Sequence, residues 1–299
     1  MSELTNPEVI LLEDQEKIGG LTFRAGQSLI DDHEVQVVLL AGGNGTRLGF
    51  DGPKCLYPVC GKPIIEHLLE KIPPSVKVFV MANDNNYGKI VNAVGSRCDV
   101  FTQNETFGYD SNLVQTTEKF PCGHGDFFDS FIGSGRCSRS RRAIVVCQAD
   151  NPLAPVCCQE LIGLHHVTRS QVTAVVVPKK SPEEKMGMAH SEDGRNFIAE
   201  YGTGKDLLNL KWGNIGAYVF DLRFLEMQAT GPQPLRYHLR PQPDGSFKRE
   251  RFVFDLIPLA KRSQFVEMKR DEVFAPVKDT ETAAEAERLV ASQLARQNG

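Results

Sequence analysis

The chain lacks most of the features that would sort it at sight. Its eight cysteines, at 55, 60, 98, 122, 137, 147, 157 and 158, form no CxxC pair, and it has a single tryptophan. Cys157 and Cys158 are adjacent, which is poor geometry for a bridge or a shared tetrahedral zinc, so the spacing predicts reduced, mainly packing thiols. No charge of one sign dominates: 34 Lys and Arg stand against 38 Asp and Glu, a formal charge of -4. That balance excludes a bulk basic field for nucleic acid or an anionic membrane, and any anionic ligand must be met locally. Long hydrophobic runs are missing as well. VQVVLLA, VKVFVMA, AIVVC and VTAVVV are strand-length pieces, well short of the ~20 residues a membrane helix needs. The opening MSELTNPEVILLEDQEK puts acids where a secretory signal needs positive charge, so the expectation is a cytoplasmic protein.

What is present suits a folded enzyme-sized domain. The 299 residues are 41% hydrophobic and 24% charged, enough to bury a sizeable core. Strand-like runs at 35–41, 76–82, 99–103, 143–148 and 172–177 alternate with helix-period segments at 63–72, 87–94 and 156–167. The strands are continuously rather than alternately apolar, which suits a sheet covered on both faces. The βαβ order implies parallel pairing with right-handed crossovers. The prediction is a doubly wound, mostly parallel α/β sheet. Beyond residue 186 come shorter strands with turn signals such as Asp193-Gly194, a Pro/Gly/Gln stretch at 229–246, helical periodicity at 252–260 broken by Pro258, and a closing helix at 280–296. The divisions expected are an N-terminal segment 1–34, a catalytic domain 35–280 with halves 35–180 and 181–280, and a C-terminal helix 281–299.

The most informative stretch, LLAGGNGTRLGFDGPK at 39–54, follows the first strong strand directly. Glycines 42, 43, 45 and 49 let backbone N–H groups approach a phosphate or nucleobase edge, and Arg47 and Lys54 supply the local cations. The carboxyl end of a parallel strand is where open α/β sheets bind ligands. A Rossmann fingerprint fails here because Leu48 occupies the third glycine position, and no Walker A string exists. Elsewhere, Asp150 follows a strand end, where a carboxylate can hold Mg²⁺ between phosphate oxygens. Gln103 can offer an acceptor and a donor to an imide edge. His165 and His166 near Cys157 and Cys158 do not make a metal site, since neighbours on a helix diverge by about 100°. The basic run 136–142 reads as a solvated loop.

These residues resemble the UDP-sugar pyrophosphorylases, specifically their UDP-N-acetylglucosamine branch. The glycine-rich signature is joined in order by GHGD at 123–126, QADNPL at 148–153, MGMAHSEDGRNFIAEY at 186–201, GNIGAYVF at 213–220, FVFDLIPLAK at 252–261 and DEVFAPVKD at 271–279. The resemblance implies a Rossmann-like nucleotide-diphospho-sugar transferase fold with a sugar-binding lobe. It also implies a Mg²⁺-dependent reaction in which UTP and a sugar 1-phosphate give a UDP-sugar and pyrophosphate. On the matched positions, Arg47, Lys54 and Lys278 face the reacting phosphates and Asp150 holds the metal. Leu40, Ala41, Gly42, Gly43, Gly45, Thr46, Gln103 and Gly123 bind the nucleotide. His124, Gly187, Glu200, Tyr201 and Asn214 bind the sugar. His124 stands where the family usually has Asn, and Cys55 where it usually has Gly. N-acetylglucosamine 1-phosphate is the expected sugar, with glucose or galactose 1-phosphate, or a catalytically silent UDP-sugar binder, as alternatives. The resemblance further implies that the C-terminal domain of longer members is missing after Lys278.

Overall fold

The computed structural model describes residues 4–13, 16–138, 141–201, 207–231 and 235–298. In chain order the elements are β1 (Val9–Leu11), α1 (Glu16–Asp31), β2 (Val35–Leu40), β3 (Pro58–Val59), β4 (Lys62–Pro63), α2 (Ile64–Leu69), β5 (Lys77–Ala82), α3 (Asp84–Val94), β6 (Asp99–Thr102), β7 (Glu105–Tyr109), β8 (Gln115–Pro121), β9 (Ala143–Gln148), α4 (Gln159–Val167), β10 (Val172–Pro178), β11 (Met188–Glu192), β12 (Arg195–Ala199), β13 (Trp212–Asp221), α5 (Leu222–Ala229), β14 (His238–Pro241), β15 (Phe247–Glu250), β16 (Ser263–Glu267), α6 (Arg270–Val273) and α7 (Thr280–Asn298).

The main sheet runs β1-β16-β10-β13-β9-β2-β5-β6. β2 pairs in parallel with β9 and β5, and β5 with β6, as the alternating strand and helix signals require. β13 is the exception, antiparallel to both β10 and β9. Every residue of β2 is buried. Val37 and Leu39 join one hydrophobic cluster while Val38 and Leu40 join another, because alternate side chains on a strand leave by opposite faces. The continuous apolar run is therefore a central strand covered on both sides.

The boundary expected at 180/181 falls inside this sheet, since β13 and β16 lie among strands of the first half. The β11–β12 hairpin attaches to β13 at Met188 and Gly213. A second sheet, β14-β15-β7-β8, joins two distant stretches through the pairing of Phe247 with Tyr109. The helical periodicity at 252–260 takes the form of 3-10 turns over Val253–Leu259 with Pro258 inside, because proline removes an amide donor and crowds the preceding turn. The N-terminal segment contributes an edge strand, β1 on β16, and a helix, α1, that packs on α4. Helix α7 closes a third cluster: Ala283, Ala286, Leu289 and Val290 pack with Leu48 of the glycine-rich loop and with Ala275 and Val277. The final helix thus braces the loop against the segment that leads to Lys278.

Candidate active site

β2 and β9 run side by side in parallel, so the loops that follow them emerge at the same sheet edge. A cavity of about 410 Å³ opens there, lined by Leu40–Asn44, Lys54, Gln103, Gly123, His124, Gln148 and Asp150, among others. The glycine-rich loop is shaped by its own backbone: the Gly45 amide donates to Gly52 O at 2.9 Å and the Lys54 amide to Gly43 O at 2.9 Å. That second bond brings Lys54 back beside the start of the loop. Its Nζ lies 3.2 Å from Asp150 Oδ2, with the two side chains 16% and 22% exposed, a pair still open to a ligand on one side.

Asp150 is fixed by its neighbours. Its carbonyl accepts from the Val277 amide at 2.8 Å. The buried Asn151 accepts from the Ala275 amide at 2.9 Å and donates to Val273 O at 2.7 Å. These bonds carry Lys278, half-buried and next to Val277, to the Asp150 loop. Asp150 does not cap the following helix, since α4 begins at Gln159 with Cys158 as its cap residue. From beneath, the Lys71 ammonium holds Pro152 O at 2.8 Å, and burial draws that amine down to about 8.

Gln103 is buried, and its Oε1 is an acceptor without a partner among the described residues. A buried polar atom left unpaired is rare and calls for an explanation, and here it borders the cavity. Gly42 explains the close fit beside it: a Cβ there would lie 2.4 Å from Gln103 Nε2. Gly123 has φ of +84°, and a Cβ on it would meet Arg251 O at 2.9 Å. The GHGD turn accordingly lies flat on residues 250–252. His124 accepts from the Val253 amide at Nδ1, 3.1 Å away, and packs at a tilt against the rings of Phe252 and Phe254. Burial lowers its pKa to about 4, so the ring is neutral with its proton on Nε2.

Not every matched residue reaches the cavity. Arg47 and Thr46 lie exposed on the outer turn of the loop. Asn214 spends its donor on Tyr218 Oη at 2.7 Å, and its Oδ1 accepts from the Gly216 amide at 3.2 Å. Gly187 O accepts from the Asn214 amide at 2.8 Å, which joins these two positions to each other. Tyr201 is exposed, beside a separate depression. Burial raises the Glu200 carboxyl, against the opposing pull of Arg240 and Lys278.

Sequence reasoning missed other contributors. Asn83 caps α3 through the Asn86 amide at 2.8 Å while its Nδ2 donates to Gly42 O at 2.8 Å, and Asn86 Nδ2 donates to Asn44 Oδ1 at 2.8 Å. This amide network pins the loop from α3; an Asn just before a helical pattern was the available signal. Phe120, Gln242, Lys248 and Glu250 line the cavity from the second sheet, with Lys248 Nζ 2.7 Å from Glu250 Oε1. Among the remaining sequence expectations, all eight cysteines are free. His165 is buried with its Nδ1 2.8 Å from Thr173 Oγ1, whereas His166 is exposed. Arg136 folds back onto Ser130 O and Ser134 Oγ, Arg142 pairs with Glu34, and Arg139 lies outside the described residues.

The mostly parallel sheet thus carries a glycine cradle, a cation and a carboxylate at one edge. Residues 37–192, more than half of the chain, match the family described as the MobA-like NTP transferase domain, and the chain belongs to that family. It is 25% identical, over 86% of its length and 84% of the relative's, to the "Probable UDP-N-acetylglucosamine pyrophosphorylase" of Encephalitozoon cuniculi. It is 27% identical, over 89% of its length, to "UDP-N-acetylglucosamine diphosphorylase 2" of Arabidopsis thaliana, of which it spans 64%. In fold it is similar to the UDP-N-acetylglucosamine pyrophosphorylase of Trypanosoma brucei, with a TM-score of 0.83 and 21% identity over 97% of this chain and 73% of that one. No helix among the described residues is long and apolar enough to cross a membrane.

Proposed function

We propose that the protein is a uridylyltransferase that makes UDP-N-acetylglucosamine and pyrophosphate from UTP and N-acetylglucosamine 1-phosphate. The observation that carries this reading is the Lys54–Asp150 pair, 3.2 Å apart, at the wall of a cavity bounded by the glycine-rich loop. The sugar assignment rests on the names of the relatives and on the ordered signatures. An oxygen of the sugar phosphate attacks the α-phosphorus, the bond to the bridging oxygen of the β-phosphate breaks, and pyrophosphate leaves. Such a transfer asks a protein for positioning and charge neutralisation rather than covalent catalysis.

The residues that line the cavity divide the work. The backbone at 42–45 receives the triphosphate and the base, and the free Gln103 Oε1 accepts from the uracil N3–H. The Lys54 ammonium faces the phosphates around the reacting centre and Lys278 supports it from the 277–278 segment. Arg47 meets the outer phosphates if its exposed turn folds inward on binding. His124, neutral, donates from Nε2 to the sugar side, whereas Glu200, Asn214, Gly187 and Tyr201, which lie outside the lining of this cavity, are assigned to the sugar by the resemblance alone. The donor set also fits Mg²⁺, which is commonly held by one or two carboxylates plus substrate phosphates. Asp150 is the carboxylate that would hold it, and the ion would supply neutralisation of phosphate charge.

The test is pyrophosphate release from UTP across a panel of sugar 1-phosphates, with and without Mg²⁺. Release with N-acetylglucosamine 1-phosphate, dependent on Mg²⁺, supports the reading. Faster release with glucose or galactose 1-phosphate moves the sugar assignment, and release from no sugar refutes the enzyme assignment in favour of a silent binder.

A further inference from the structure

The opposite edge of the main sheet, where the parallel strands begin, holds a second cavity of about 550 Å³. Arg141, Arg142, Arg169, Arg223 and Arg262 line it together with His165 and His166, against Asp221 and Glu226 as its acids. Asp221 Oδ1 caps α5 through the Phe224 amide at 2.8 Å, and Glu226 has a partner; these two carboxylates are outnumbered by the five arginines of the lining. Glu34 pairs with Arg142 at 3.0 Å. Among the described residues, Arg169, Arg223 and Arg262 have no carboxylate within ion-pair distance. Five guanidiniums converge on one cavity of a chain whose net charge is -4, an arrangement that self-repulsion opposes.

Three further observations point the same way. Among the described residues, Arg141 Nε is buried with no acceptor, a donor awaiting a partner. Arg169 sits at φ +52° directly after the cap of α4, a left-handed position that glycine or asparagine fills with less strain. The C-terminal carbonyls of α4 favour a cation nearby, but Arg141, Arg142, Arg223 and Arg262 come from other elements. The cationic positions are also held by backbone bonds: the Leu222 amide donates to Arg142 O at 3.0 Å, and the Gln171 amide to Arg262 O at 2.8 Å. Guanidiniums are well suited to phosphate oxygens, which they meet with two parallel hydrogen bonds.

We propose that this cavity is a second anion site, separate from the Lys54–Asp150 cavity, that binds a small phosphorylated anion of at least two negative charges. Arg142 immediately precedes β9 and Asp150 lies just beyond its end, so the two sites are separated by the length of a six-residue strand, ~20 Å.

The probe is inorganic tripolyphosphate, titrated calorimetrically into the full chain in chelator at constant ionic strength. The wild-type protein should show two classes of site. Arg169→Gln with Arg223→Gln and Arg262→Gln should weaken one class roughly tenfold or more and spare the other, whereas Lys54→Met should do the converse. Arg288→Gln with Arg296→Gln, two exposed cations on α7, should leave both classes intact. The proposal is overturned if the triple variant binds as wild type, or if the control pair weakens the same class equally, which would mean general surface charge only. Because each class is removed by its own variant, failure of the nucleotide site leaves this result readable. A second measurement needs no variant: tripolyphosphate should protect Arg169, Arg223 and Arg262 of the wild-type protein from phenylglyoxal, read by mass spectrometry, while Arg288 and Arg296 react unchanged. Uniform labelling with and without the anion would equally overturn it.

Discussion

The phosphate side and the sugar side of the active site are built differently. Gly42, Gly43, Lys54, Gln103, Gly123 and Asp150 converge on one cavity, and what places them is backbone: the loop's own hydrogen bonds and the parallel β2–β9 pair. Of the sugar-side residues the resemblance names, His124 lines that cavity, while Gly187, Glu200, Tyr201 and Asn214 stand outside its lining. The space opposite the glycine-rich loop is instead walled by Phe120, Gln242, Lys248 and Glu250 of the small sheet. The proposed phosphate side draws on short motifs at neighbouring strand ends, the glycine-rich loop after β2 and Asp150 after β9. The opposite part of the lining depends on how two hairpins far apart in sequence are brought together.

The comparison breaks most severely at the phosphate side. Lys54→Met or Asp150→Asn should lower turnover by ~10²-fold or more for every sugar 1-phosphate alike, the scale of losing one electrostatic stabiliser. Steady-state kinetics on two sugars checks this, and a change in their ratio instead of their common rate would place these groups on the sugar. Gly123→Ala comes next, at the junction of the GHGD turn with the strand end. Positive φ and contact with Arg251 O should cost about 1–3 kcal/mol of stability, read from the urea midpoint. Asn214→Ala should cost roughly 1–3 kcal/mol, because it strands the fully buried Tyr218 hydroxyl; an unchanged midpoint would show that this bond is not structural.

A pH-dependent effect sharpens the role of His124. Its pKa falls from 6.5 to about 4 through burial, so between those values the unfolded chain binds more protons than the folded one. Stability therefore declines as pH drops from 6.5 towards 4 and is restored as pH rises. His124→Asn should flatten that decline in urea titrations across the window, with His165, drawn down to about 3 by burial, accounting for part of what remains.

The parts of the fold with local physical signatures were legible in the sequence. β2, β5, β9 and β10 announce themselves because strands buried on both faces are continuously apolar, and α7 because alanine, glutamate, leucine and arginine favour helix. β7 and β8 did not, since their exposed positions carry Glu105, Phe107, Gln115, Glu118 and Lys119 without a clean apolar alternation. β1 is three residues long and finds its partner at β16, near the other end of the chain, and no local pattern encodes so distant a pairing. The same limit governs the site. Lys54 and Asp150 sit in contiguous motifs, whereas Lys248 and Glu250 gain their place only when β15 pairs with β7, and the Asn83–Asn86 bracing of the loop exists only once α3 is docked.

The most direct test of nucleotidyl transfer at the Lys54–Asp150 cavity is pyrophosphate exchange. Labelled pyrophosphate is supplied with UDP-N-acetylglucosamine and Mg²⁺, and label is followed into UTP. Label should enter UTP only when the sugar nucleotide is present, and should fail to do so with Lys54→Met. Absence of label with the wild-type protein, or undiminished label with Lys54→Met, would contradict the account.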